Sequence, residues 1–155
     1  MLNNPYEDSL EIRVLSATPL GLVTLLYEGA IAAVRAARNH LSSGEIRARS
    51  RSVTKAVNIL IELDKSLNHD ADREMCARLS GLYAYMRQTL LEANYHQTEE
   101  GLITVEKLLV SLGETWKQIG AQIGTQIGAQ IGSESRIPEY QIPVPVPTQT
   151  RHWSA

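Results

Sequence analysis

Phenylalanine is absent from this chain, and cysteine occurs once, at Cys76. Without Phe the core must be assembled from Leu, Ile, Val, Ala and Met with a few Tyr and Trp, a composition that favours packed helices over a β-sandwich. A lone cysteine excludes an internal disulfide framework and suits a reducing cytosol, where Cys76 reads as packing material. An excess of either charge is lacking too. The formal net charge is −2 and the pI about 6.1, which leaves no general attraction to nucleic acid or anionic membrane. The nearest basic candidate, Arg47, Arg49 and Arg51, is spread around a helix by its i, i+2, i+4 spacing and reads as a solvated helix end. The N-terminal MLNNPYEDSL has neither the basic start nor the apolar run of a secretory signal, and no run approaches the roughly 20 apolar residues of a membrane span. The expectation is a cytoplasmic protein that neither inserts into membranes nor binds nucleic acid.

Motifs for chemistry are missing as well. No phosphate-binding glycine loop, nucleophile elbow, CxxC pair or HExxH occurs, and His40, His69, His96 and His152 stand without partners at ligand spacing. Glu92 and His96 share a helix face at i, i+4, yet a di-iron bundle needs carboxylates and Glu-x-x-His pairs on several facing helices. Asn68-His69-Asp70-Ala71-Asp72 begins like a calcium loop, but Arg73 and Leu79 stand where that loop needs glycine and glutamate. No enzymatic activity, cofactor or metal is expected.

What is present is helix, enough for one domain in 155 residues. The stretch Ala17 to Val34 has Glu28 as its sole charged residue. Thr18 suits the N-cap and Pro19 the first turn. Its apolar side chains exceed the roughly 100° arc that a surface helix buries. This helix should run to about Leu41 and end at Ser42-Ser43-Gly44, with Gly44 in the left-handed conformation. A second helix begins near Glu45 and carries Val53, Ala56, Leu60, Leu63 and Leu67 at alternating steps of three and four, with Val57, Ile59 and Ile61 outside that seam. Asp70 or Asp72 caps a third, about Arg73 to Tyr95, with Met75, Leu79, Leu82, Met86, Leu90 and Ala93 on one face and Tyr83 and Tyr85 beside it. Thr98-Glu99-Glu100 opens a fourth, with Leu102, Val105, Leu109, Leu112 and Trp116. Short connections make such helices antiparallel neighbours.

The predicted fold is therefore all-α: an antiparallel up-down four-helix bundle over residues 17–118, a short N-terminal arm over 1–16, and a disordered C-terminal tail over 119–155. The tail begins with four Gln-Ile-Gly repeats from Gln118, whose glycines each cost a helix nearly 1 kcal/mol relative to alanine. It ends in a proline-rich stretch that excludes helix.

Four segments, SATPLGLVTLLYEGAI, SVTKAVNILIELDKSLN, LYAYMRQTLLEAN and VEKLLVSLGETW, together resemble the flagellar export chaperones of the FliS family. The most specific pieces are Leu26 to Ile31, where the family usually has Asp for Glu28, and Leu82 to Met86 followed by Ala93-Asn94. The resemblance covers about residues 3 to 118. It departs at Ser66-Leu67-Asn68, where the family often has Asp at the third position, and in lacking a glycine pair before the third helix. The repeats and proline tail have no counterpart in it.

The resemblance implies a cytosolic chaperone that binds the C-terminal region of flagellin, prevents premature polymerisation and delivers it to the flagellar export gate. It also implies that the arm is a lid, with Tyr6 at the position of a family tyrosine and Leu10 as a further docking side chain. The surplus apolar residues of the first two helices, Leu22, Leu25 and Gly29 beside Val57 and Ile61, read on physical grounds as the partner-binding groove. A generic helical adaptor for another amphipathic helix is the alternative.

Overall fold

The three-and-four spacing of apolar residues, broken at turn residues, sets four α-helices in a computed structural model that describes residues 19–133. They are α1 (Pro19–Ser42), α2 (Ile46–Lys65), α3 (Arg73–His96) and α4 (Glu100–Ser133). Among the described residues there is no strand. Gly44 has φ +71°, the left-handed geometry expected of a residue that stops α1, and the Glu45 amide closes that turn on the His40 carbonyl at 2.9 Å. Asp72 caps α3 by accepting from the Met75 amide at 3.0 Å. Gln97, at φ 56°, makes the corresponding left-handed turn between α3 and α4. The proposed cap at Thr18 lies outside the described residues.

Each helix is a neighbour of the next, and α4 closes back on α1. Arg38 meets Glu99, Arg35 meets Glu106 and Trp116 meets Tyr27, so residue numbers fall along α1 as they rise along α4. Such ordering is antiparallel. Ser50 and Arg49 bond Asn94, and Asp64 bonds Arg87, which sets α2 against α3 in the same sense. The core is a single cluster: Tyr27, Ala30, Val34 and Ala37 of α1, Val53, Ala56, Leu60 and Leu63 of α2, Tyr83, Met86, Leu90 and Ala93 of α3, and Leu102, Val105 and Leu109 of α4. Each fully buried leucine contributes about 1.5–3 kcal/mol relative to exposure. Gly101 is required where α4 leaves α3, because a Cβ there would lie 3.0 Å from the Ala93 Cβ and 3.2 Å from the Thr89 carbonyl oxygen.

The structure departs from the expectations at several points. Met75 is exposed rather than part of the α3 seam, and Tyr83 takes a central place in the core. Arg49 is not solvated: it is 3% exposed, donating from Nε to Asn94 Oδ1 at 2.8 Å and from Nη2 to the Asn94 carbonyl at 3.3 Å. There it neutralises part of the negative end of the α3 dipole. At 24 residues α1 is long and apolar enough, by length and composition, to cross a bilayer. One face of it is nevertheless packed into the core through Tyr27, Ala30, Ala33, Val34 and Ala37. Finally, α4 continues through the Gln-Ile-Gly repeats to Ser133, so the helix runs past the boundary expected at residue 119. An existing helix extends without a new nucleation cost, and the period of four keeps Ile119 and Ile123 one turn apart. Among the described residues the chain divides after Ala121 into two units, and residues 1–18 and 134–155 lie outside the described residues.

Candidate partner-binding surface

Three helices are fastened to one another by a buried polar pair. Tyr27 Oη and Tyr83 Oη are 2.6 Å apart, and Trp116 Nε1 donates to Tyr27 Oη at 3.2 Å. Since Trp can only donate, Tyr27 accepts from it and is left to donate to, or accept from, Tyr83. Burial raises the Tyr27 hydroxyl above its ordinary pKa, partly offset by its bonds to Tyr83 and Trp116. Tyr83 is raised further, by burial first and by the Tyr27 contact second. Both are neutral hydrogen-bonding groups in the working pH range. These groups hold α1, α3 and α4 together and face the interior.

The α1/α4 seam carries charge as well. Arg35 Nε reaches Glu106 Oε1 at 2.9 Å, Arg38 bridges Glu106 at 2.9 Å and Glu99 at 2.8 Å, and Lys117 lies 3.8 Å from Glu28. A hollow of about 550 Å³ runs along this seam, floored by Tyr27, Ile31, Val110 and Gly113. Carboxylates and cations alternate along its rim.

Around α2 the picture is different. Gly29 of α1 faces Ile59, with 3.4 Å between an added Cβ and the Ile59 Cδ1. Leu25 and Gly29 are half-buried, and Leu22 is 39% exposed. These three residues fall on one stripe by their i, i+3, i+7 spacing. Val57 and Ile61, also half-buried, do not join that stripe. They share the flank of α2 that carries Ser50 and Asp64, whose side chains bond Asn94 and Arg87 of α3. Between those two bonded rungs α3 presents Leu91, 53% exposed, and beyond them stand Tyr95 at 82% and Ile46 at 55%.

The five residues expected to form one groove therefore make two apolar strips, one on each flank of α2. The first is Leu22, Leu25 and Gly29 with Ile59. The second is Val57 and Ile61 with Leu91 and Ile46. A hollow of about 720 Å³ lies over the outward side of α2 between Ile59 and Ile61. The sequence reading missed Ile46, Leu91 and Tyr95 as surface residues; the signal for them was their place outside the three-and-four seams. The lid residues Tyr6 and Leu10 lie outside the described residues. Among the described residues, no group of three or more His, Cys, Asp or Glu side chains converges as a metal site would require.

Comparison with known proteins adds an independent line. The family model described as "Flagellar protein FliS" matches residues 2–123. The chain is similar to the flagellar secretion chaperone FliS of Salmonella typhimurium, with 38% identity over 112 residues, covering 72% of this chain and 83% of that protein. It is also similar to the protein of the same name in Bacillus subtilis, at 30% identity over 76% of this chain and 86% of the relative. The Escherichia coli protein of that name is 31% identical over 70% and 81%.

Proposed function

The chain belongs to the FliS family of flagellar proteins, and from that membership we propose a cytosolic export chaperone that binds the C-terminal helical segment of flagellin. In this reading it prevents premature polymerisation and delivers the subunit to the flagellar export apparatus. Export chaperoning follows the family. Its extension to flagellin is supported by one observation above the others: Leu22 on one flank of α2 and Ile46 and Leu91 on the other are exposed apolar side chains, beside the half-buried Leu25 and Ile61, while the α1/α4 seam is occupied by paired charges.

The physical logic is substitution. Subunits whose amphipathic terminal helices associate with one another must have those apolar stripes covered until export. A chaperone can cover them only with apolar surface of its own, which a self-contained bundle would have buried. Leu22 and Leu25 on one strip and Val57 and Ile61 on the other offer such surface, with the spacing that a helix face needs.

Co-purification tests the reading. The full chain should retain full-length flagellin and fail to retain flagellin lacking its C-terminal segment. Equal retention of both would move the contact elsewhere on flagellin. Retention of neither would favour a helical adaptor for a different amphipathic partner, which the same two strips would also fit.

A further inference from the structure

Between its two apolar strips, the outward side of α2 is cationic. Arg49 is buried and Asp64 is turned to Arg87 of α3, so the charges left facing outward are Arg47, Arg51, Lys55 and Lys65 with Glu62. Lys65 lies 3.6 Å from Glu62. Arg47, Arg51 and Lys55 make no ion pair among the described residues. Elsewhere Arg35, Arg38, Arg78, Arg87 and Lys117 each have a carboxylate partner, and the other exposed cations without one among the described residues, Arg73 on α3 and Lys107 on α4, stand singly on different helices. The excess is local, in a chain whose net charge is −2.

Position gives that excess a use. Ile59 and Ile61 are two residues apart on a helix, which places them about 200° apart around its axis. A straight helix lying along one flank cannot reach the other. A polypeptide covering both must leave one strip, turn over the roughly 10 Å width of α2, and enter the second. The hollow over Arg51, Lys55 and Asn58 lies on that path.

We propose that the partner crosses α2 through an acidic turn, one or more of its Asp or Glu side chains pairing with Arg51 and Lys55. This rests on the reading that one amphipathic polypeptide covers both strips. Aspartate suits the role twice, because it favours turns and offers the carboxylate that a guanidinium binds in bidentate fashion. Three unpaired cations on an exposed face raise the encounter rate with an acidic segment more than they slow its departure.

The test is the association rate of the C-terminal flagellin segment with the full chain, measured by stopped flow at low and high salt. The double variant Arg51→Glu/Lys55→Glu should associate about tenfold more slowly at low salt, with the difference shrinking at high salt and a much smaller change in dissociation. Arg78→Glu, an exposed reversal on α3, should stay within about twofold of the unchanged chain. Circular dichroism establishes that both fold; should the reversal disturb α2, Arg51→Gln/Lys55→Gln provides the same comparison. An unchanged rate with unchanged salt dependence overturns the acidic turn while leaving flagellin binding intact. Faster association overturns it too, assigning the cationic face to the chain's own Glu7, Asp8 and Glu11. Failure of the unchanged chain to bind the segment instead removes the flagellin reading, and this inference with it.

Discussion

The two long edges of α1 are built in opposite ways. Toward α4 it presents Arg35 and Arg38, which engage Glu106 and Glu99 at 2.8–2.9 Å, and Tyr27, which accepts from Trp116. Toward α2 it presents Gly29 against Ile59, with Leu22 and Leu25 partly in water. Glu106 is only 14% exposed, so a partner inserting along the α4 edge would strand a carboxylate from its guanidinium partners. On the α2 edge an incoming helix breaks no directional bond and removes apolar surface from water. A bundle that must stay closed while accepting a partner can keep its polar fastenings on one edge and its unpartnered apolar surface on the other.

The hardest test of that division uses adjacent residues on α2. Leu60 is 0% exposed, whereas Ile61 is half-buried on the α3-facing flank. Leu60→Asp would place an unpaired charge in the buried core cluster, at a cost of at least several kcal/mol, and is expected to unfold the bundle. Ile61→Asp and Leu25→Asp should keep helical circular dichroism and a cooperative melt, yet weaken flagellin binding at least about tenfold in calorimetric titration, the loss of roughly one leucine-sized contact. If both surface variants unfold, the two strips belong to the core. If both fold and bind normally, the partner uses another surface.

Arg49 is the next largest expectation. It ties α2 to the C-terminal end of α3 through two donors to the half-buried Asn94, so Arg49→Ala leaves Asn94 Oδ1 with only the 3.5 Å contact from the Ser50 hydroxyl and should destabilise by about 1–2 kcal/mol. Lysine should not restore the loss, because one ammonium cannot reproduce the two-pronged guanidinium geometry. Equal melting of Arg49→Ala and the unchanged chain would show the bond to be immaterial.

Arg49 also shows where the sequence was readable and where it was not. Helix limits were legible because their signals are local: the left-handed Gly44 and the capping Asp72 each act within a few residues. The seam Val53, Ala56, Leu60, Leu63 was legible from its period. One step of four back from Val53 lands on Arg49, so the same period marks it as interior, but its charge argued for solvent. Tyr27 and Tyr83 bond although 56 positions apart, and no local pattern pairs them. Both lie inside the short segments that carry the family resemblance, as does Asn94. Those segments hold fastenings between helices as well as Gly29, which faces Ile59 of α2. The groove was half legible, for periodicity tells which side chains leave the core seam of α2 but not which flank α1 occupies. Hence the helix period alone does not tell that Val57 and Ile61 lie on the flank of α2 that faces α3.

Gly29 offers a smaller and sharper test, since stability and binding should move in opposite directions. An added Cβ would be 3.4 Å from the Ile59 side chain, ordinary contact, while alanine gains nearly 1 kcal/mol of helix propensity over glycine. Gly29→Ala should raise the melting temperature by a few degrees and weaken flagellin binding, because the methyl group occupies the place a close-packed partner helix would take. A lower melting temperature would show that glycine is there for α2, closing the α1/α2 edge to a partner.

The smallest effect expected is that of removing everything after Gly120. Gly120 still lies against α1, where an added Cβ would be 3.2 Å from Leu20 Cδ2, so a cut after this residue keeps that contact. Beyond it, positions 121–126 are exposed. A helix with glycine at every fourth position has little intrinsic stability to lend to the bundle. Thermal unfolding of the truncated chain should therefore stay within about 5 °C of the full chain, corresponding to roughly 1 kcal/mol for a domain of this size. A larger fall would mean that the repeats extend the fastened α1/α4 edge and share in folding. An unchanged melt combined with weaker flagellin binding would place them on the accepting side of the molecule instead.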